Sequence, residues 1–120
     1  MDIRQYLPIG FPRIICLCGS TRFKNEFVRQ NFQLTLAGNI VLSIGCNAKD
    51  DSELKITDYQ KIILDDIHKR KIDLADEIFV INVNKYIVYS TKSEIKYAMD
   101  HGKKIVLLEE MDLLELGLYE

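Results

Sequence analysis

Two short segments of this chain carry residue types that could do chemistry together. Gly19-Ser20-Thr21-Arg22 offers a flexible glycine, two hydroxyls, the amides of a helix start and a guanidinium. That set suits an anionic group such as a phosphate, or a sugar hydroxyl. It is also what an ordinary strand-to-helix turn needs, with Ser20 or Thr21 as the N-cap. The second segment, Tyr86-Ile87-Val88-Tyr89-Ser90-Thr91-Lys92-Ser93-Glu94, opens another helix. Thr91-x-x-Glu94 matches a capping box, in which Glu94 only satisfies the Thr91 amide. A carboxylate in the first helical turn is also stabilised by the macrodipole and stays ionised, as a nucleophile requires. Spacing leaves both roles open.

His68 stands in Asp65-Asp66-Ile67-His68-Lys69-Arg70-Lys71, where the plain expectation is a solvated residue on a charged helix. No metal site is expected: His68 and His101 are isolated in sequence, and Cys16-x-Cys18 is read as alternating across a strand. No cofactor is expected either. Cys16-x5-Arg22 has the bare spacing of a tyrosine-phosphatase phosphate loop, with a thiolate below an anion cradle. Against that, Gly19-Ser20 ends the strand and leaves Cys16 inside the sheet. Phe23 follows Arg22 where those enzymes usually carry Ser or Thr, and the chain has no Asp-Pro segment.

Short apolar runs alternating with helical-period stretches must position these residues. Arg13 to Cys18 reads as a buried strand stopped by Gly19-Ser20, and a helix from Thr21 ends at Gly38. Asn39 to Ile44 is a second strand, and residues 45–56 form a loop with Asn47, Asp50, Asp51 and Ser52. Thr57 caps a helix through Ala75, with Ile62, Ile63, Ile67, Ile72 and Leu74 as its apolar face. Glu77 to Val83 is a third strand, Thr91 to His101 a helix, Lys104 to Leu108 a fourth strand, and Met111 to Leu116 a short helix. Strands apolar on both faces imply a parallel sheet covered on both sides. Right-handed crossovers make a flavodoxin-like, doubly wound α/β fold the most economical, three-layered, with strand order 2-1-3-4 and room for a fifth edge strand. Ligands then bind beyond the carboxyl ends of strands 1 and 3, where both chemistry-bearing segments converge.

The whole chain, 120 residues with 48% hydrophobic, fits a single domain with a core of its own. A net charge of -2 argues against a protein held on duplex nucleic acid by phosphate neutralisation. No apolar run approaches the ~18–20 residues of a membrane span, and no secretory signal opens the chain, so the default expectation is a cytoplasmic protein with reduced cysteines.

Three blocks resemble the nucleoside 2-deoxyribosyltransferase-like family, which includes deoxynucleoside 5'-monophosphate N-glycosidases. Ile15-Cys16-Leu17-Cys18-Gly19-Ser20-Thr21-Arg22 looks like its opening strand and phosphate-side loop. His68 to Ile78 resembles the segment leading into strand 3, and Asn82 to Ala98 resembles an uncharacterised bacterial and phage branch. The resemblance implies that Glu94 attacks the anomeric carbon of a deoxyribosyl unit, as in retaining glycoside chemistry. It also implies that Gly19, Ser20, Thr21 and Arg22 hold the 5' group of a nucleoside or nucleotide, with Tyr86, Ser90 and Thr91 assisting. His68, where the monophosphate glycosidases have an Asp, would contact the sugar and base or protonate the departing base. A homo-oligomer is implied as well. The chain departs from the pattern at Asn82 and Asn84, where the transferases favour Asp, and at Val88, Ser90 and Thr91, which replace glycines. A nucleotide-binding domain of the same fold without catalysis is the alternative these departures raise.

Overall fold

Four short apolar runs become strands because helices bury them from both sides. The computed structural model describes residues 1–6, 10–45 and 55–117. Strands β1 (Ile14–Gly19), β2 (Ile40–Leu42), β3 (Glu77–Ile81) and β4 (Lys104–Leu107) pair in parallel in the order β2-β1-β3-β4. This is the expected order, and among the described residues no fifth strand joins it. Helices α1 (Lys24–Leu36), α2 (Asp58–Leu74) and α3 (Tyr89–Asp100) supply the crossovers, and a single turn, α4 (Leu113–Leu116), follows β4. Most of the expected 45–56 loop, including Cys46, Asn47, Asp50, Asp51 and Ser52, lies outside the described residues. No described helix is long and apolar enough to cross a membrane.

Side chains alternate along a strand, so β1 and β3 divide their residues between two cores. Cys16, Cys18, Ile78 and Val80 pack with Ile72 and Ala75 at the end of α2 and with Ile95 and Ala98 of α3. Leu17 and Ile81 meet Phe27 of α1, with Phe79 and Leu34 partly buried beside them. The result is three layers, α2 and α3 on one side of the sheet and α1 on the other. Each fully buried Ile or Leu in these clusters stabilises the fold by roughly 1.5–3 kcal/mol.

The ends of α2 form as expected. The Thr57 hydroxyl accepts from the Gln60 amide at 3.1 Å, and the Gln60 side chain accepts from the Thr57 amide at 2.9 Å. Its buried line is not the expected one. Of the five apolar residues assigned to its inner face only Ile72 is buried; Ile62, Ile63, Ile67 and Leu74 are exposed, and His68 is the second buried residue. The reason is periodicity: His68 and Ile72 are one turn apart and share a stripe, whereas the other four lie off it. Helix α3 begins at Tyr89, two residues before the expected start.

Both ends of the sheet are tied by side chains. At the amino end, Arg13 meets the Glu77 carboxylate at 2.7 Å and the Ile14 amide donates to Asp76 at 2.8 Å. At the carboxyl end, Asn82 is fully buried. Its Nδ2 donates to the Glu109 carbonyl and its Oδ1 accepts from the Glu109 amide, both at 2.8 Å. These bonds fasten the segment after β4 to the crest of β3.

Gly19, the last residue of β1, has φ +149°, and a Cβ there would stand 2.8 Å from the carbonyl oxygen of Ile81. The pairing of Gly19 with Ile81 fixes that oxygen, so the clash has no cheap relief. Gly19→Ala is expected to lower the unfolding free energy by about 2–3 kcal/mol in urea denaturation. Wild-type stability would show that the end of β1 can shift away from β3.

Candidate functional site

Three elements deliver polar side chains to the crevice beyond β1 and β3, and each does so for a local reason. In β1, residues two apart share a face, so Cys16 and Cys18 both turn toward α2 and α3 and both are fully buried. This corrects the expectation that the pair alternates across the strand. His68, carried by the same helical stripe as Ile72, presses onto that face and is 6% exposed, not solvated. Its Nε2 lies 3.4 Å from Cys18 Sγ and 3.7 Å from Cys16 Sγ. The histidine that looked isolated in sequence therefore sits with two thiols.

Glu94 closes the group from α3, with a carboxylate oxygen 3.8 Å from His68 Nε2 and a side chain 12% exposed. Of the two roles that the Thr91-x-x-Glu94 spacing leaves open, the capping box does not form. Helix α3 starts at Tyr89 with Val88 at the N-cap and no side-chain cap, which puts Thr91 inside the first turn. The Thr91 hydroxyl is buried without a hydrogen-bond partner among the described residues. Glu94 thus belongs to the second turn, where the pull of the macrodipole has faded.

The electrostatics follow from burial. Loss of water pushes the Glu94 carboxyl up to about 7; the neighbouring His68 charge pulls it down in part, and Cys16 adds to the rise. The expectation of a permanently ionised carboxylate is corrected accordingly. Burial opposes a charge on His68, but its hydrogen bond to Cys16 and the charge of Glu94 outweigh this and raise the imidazole above its ordinary value. Between the thiols, hydrogen bonding favours a charge on Cys16 and lowers it, whereas Cys18, facing Cys16 and Glu94 in the dry interior, is raised and stays a thiol.

A cavity of about 200 Å³ opens over this cluster, lined by Gly19, Thr21, Lys61, Asp65, His68, Lys71, Ser90 and Glu94 along with apolar residues that include Ile44 and Leu64. A groove of about 370 Å³ shares Lys61, Asp65, Ser90 and Glu94 with it and extends over Lys69, Tyr89 and Ser93 at the start of α3. A larger concavity of about 630 Å³ along β4 shares no residue with either.

Of the residues singled out from sequence, Gly19, Thr21, His68, Ser90 and Glu94 come together around the cavity. Ser20, Arg22, Tyr86 and Thr91 do not line it. Ser20 is buried as the cap of the turn, its hydroxyl accepting from the Arg22 amide at 3.3 Å. The Arg22 guanidinium lies 4.5 Å from the centre of the Tyr86 ring, which Phe23 meets edge-on at 5.8 Å. Cys16, buried in mid-strand, offers no exposed nucleophile below Arg22, so the phosphatase spacing does not build a phosphate loop.

Sequence reasoning missed Lys61 and Asp65 as well as the thiols. The signal was present: Lys61, Asp65, His68 and Ile72 recur four, three and four residues apart, which is one helix face. It was masked by the more conspicuous isoleucines on the outer side. Chemically, the site offers a carboxyl and an imidazole able to pass a proton near neutral pH, with hydroxyls and lysines around them.

A carboxyl whose folded pKa stands above its unfolded value stabilises the fold while protonated. That contribution is complete below the ordinary value of 4.5 and is lost as pH rises through about 7. Glu94→Gln is therefore expected to be more stable than wild type at pH 8, by on the order of 2–3 kcal/mol, with the gain shrinking toward pH 5. Urea denaturation at the two pH values checks this; a difference independent of pH would contradict the buried carboxyl. No family model, no curated protein and no solved structure matches this chain, so the functional reading is carried by its residues and their geometry.

Proposed function

We propose that the chain cleaves the N-glycosidic bond of a nucleoside or nucleotide held in the crevice. Glu94 is the nucleophile and His68 the proton donor to the departing base. The observation that carries this reading is the approach of Glu94 to His68, 3.8 Å apart, from two different helices in one cavity with Gly19, Thr21 and Ser90. The resemblance of the sequence to deoxyribosyltransferase-like proteins supports the same chemistry.

In its ionised form the Glu94 carboxylate attacks the anomeric carbon while the carbon–nitrogen bond breaks. The base leaves with the bonding pair and takes a proton from the His68 imidazolium. Water, or the nitrogen of a second base, then attacks the glycosyl ester at the same carbon, gives its proton to the now neutral His68 and frees Glu94 as a carboxylate. Burial serves this sequence twice. It excludes bulk water from the ester, and it keeps the carboxyl close enough to neutrality to exchange its proton with His68. The 5' oxygen or phosphate of the substrate is best met by Thr21, Ser90, the amides opening α3 and the lysines of the cavity wall. Ser20, Arg22, Tyr86 and Thr91 then serve by holding the turn and the helix start that present those groups.

A homo-oligomer belongs to the same proposal. Tyr59, Ile62 and Ile63 of α2 expose 72%, 64% and 42% of their surface, apolar area that a second copy would cover. Light scattering is expected to give a mass above that of one chain; a monomer at high concentration would remove this part of the proposal.

Chromatography of free base after incubation with deoxynucleosides and their 5'-monophosphates tests the reaction. Wild type is expected to release base, Glu94→Ala none, and His68→Gln roughly 100-fold less than wild type. Undiminished release by Glu94→Ala would overturn the assignment. Ligand-dependent thermal stabilisation with no base released would instead establish a binding domain without catalysis.

A further inference from the structure

The two thiols and the imidazole form a constellation that proton transfer to a base does not require. Cys16 Sγ, Cys18 Sγ and His68 Nε2 all lie within 4.8 Å of one another, and all three residues are buried. We propose that Cys16, Cys18 and His68 are three ligands of a zinc site, with Glu94 facing the fourth position.

The distances carry this inference. Zinc takes thiolate at about 2.3 Å and imidazole at about 2.0–2.1 Å in tetrahedral geometry, which sets sulfur and nitrogen about 3.5 Å apart. The two sulfur–nitrogen separations are 3.4 Å and 3.7 Å, so an ion can seat itself between them with little movement of the fold. The donors are also held by rigid elements. Both cysteines lie within β1 and pair with β3, Cys16 with β2 as well, and His68 lies ten residues into α2, where Ile72 anchors the next turn in the core. Preorganisation of this kind is what a metal site needs, since ligands on strands and helices keep their spacing.

The chemistry of the donor set selects the ion. Two sulfurs and one ring nitrogen suit a borderline-soft cation, and three protein ligands with one open position is the arrangement of zinc sites that bind a further group. The Glu94 oxygen, 3.8 Å from His68 Nε2, is near enough to partner a water bound at the fourth position. Access is through the cavity lined by His68 and Glu94. Binding releases to solvent whatever protons the two sulfurs still carry and leaves the metal in its divalent state, so no oxidant or reductant is involved. The site also accounts for a costly feature of the interior. Without an ion, two thiols share one imidazole nitrogen through long, weak sulfur contacts, while a carboxyl sits beside them out of water. The inference does not rest on the glycosidic reading and competes with it: zinc on His68 Nε2 occupies the nitrogen that would carry the donated proton, so base release belongs to the metal-free chain.

The test uses the full chain, stripped of metal by chelator under reducing conditions, then titrated with zinc alone against a chromophoric chelator. About one zinc per chain is expected to bind. Cobalt(II) alone is expected to give the intense visible bands of a tetrahedral ion and a near-ultraviolet thiolate charge-transfer band. Cys16→Ser, Cys18→Ser and His68→Gln should each weaken zinc binding by at least the roughly 10–100-fold that even an outer partner is worth, and Glu94→Gln by about tenfold. Cys46→Ser, the control for the third cysteine, should bind as wild type does. The cobalt spectrum of the wild type keeps the test valid if a variant fails to fold. Less than a stoichiometric amount of zinc, a cobalt spectrum without a thiolate band, or binding lost in Cys46→Ser and kept in Cys16→Ser would each overturn the proposal. Loss of base release in Glu94→Ala, by contrast, bears only on the glycosidic reading.

Discussion

His68 Nε2 stands within 3.8 Å of two sulfurs and a carboxylate oxygen, in a place that water hardly reaches. Polar groups taken out of water need partners, and here the imidazole finds its partners on two other elements. The thiols belong to β1, the imidazole to α2 and the carboxyl to α3, so the cluster couples the central strand to both helices on its face. The neighbouring apolar contacts of Ile72, Ile78, Ile95 and Ala98 supply the burial that makes this coupling strong. A half-satisfied cluster of this sort is poor as a stabiliser and suited to holding charge or ligand, which is why the chemistry and the core meet at one point.

Everything around the cluster serves to keep three chain segments in register at that point. The parallel order β2-β1-β3-β4 puts the ends of β1 and β3 side by side, the position where a doubly wound sheet opens a crevice. Gly19 lets β1 run against the Ile81 carbonyl without a side chain between them, and Asn82, the residue after β3, is fastened to Glu109. The first turn of α3 carries no side-chain cap, and its residues Tyr89 and Ser90 line the groove. Arg22 and Tyr86, residue types suited to a ligand, are occupied with one another and brace the turn after β1.

Much of this was legible in the sequence, and the part that was not has physical causes. Strand and helix alternation fixes the sheet order, because right-handed crossovers leave few alternatives. Thr57 was readable as an N-cap because hydroxyl, spacing and a following apolar pattern agreed. Thr91-x-x-Glu94 has the same outward form and leaves two roles open; α3 starts two residues before Thr91, with Val88 at the N-cap, so the box has no helix end to close. His68 has charged residues on both sides in sequence, the pattern of a solvated helix face. Its burial is decided by one turn of helix, from His68 to Ile72, and by the strand beneath it. Only the third dimension brings Cys16 and Cys18 to a histidine fifty residues further along, although their shared strand face could have been read from the period alone.

The claim on which the account turns is that Glu94 is a buried carboxyl electrically coupled to His68. The carboxyl-carbon chemical shift of Glu94, followed by NMR across a pH titration of the wild type and of His68→Gln, tests it most directly. The account expects a wild-type midpoint near 7 and a higher one when the imidazole is removed, since His68 pulls the carboxyl down. A midpoint near the ordinary 4.5, unmoved by His68→Gln, would mean that Glu94 faces water, and the cluster would lose its centre.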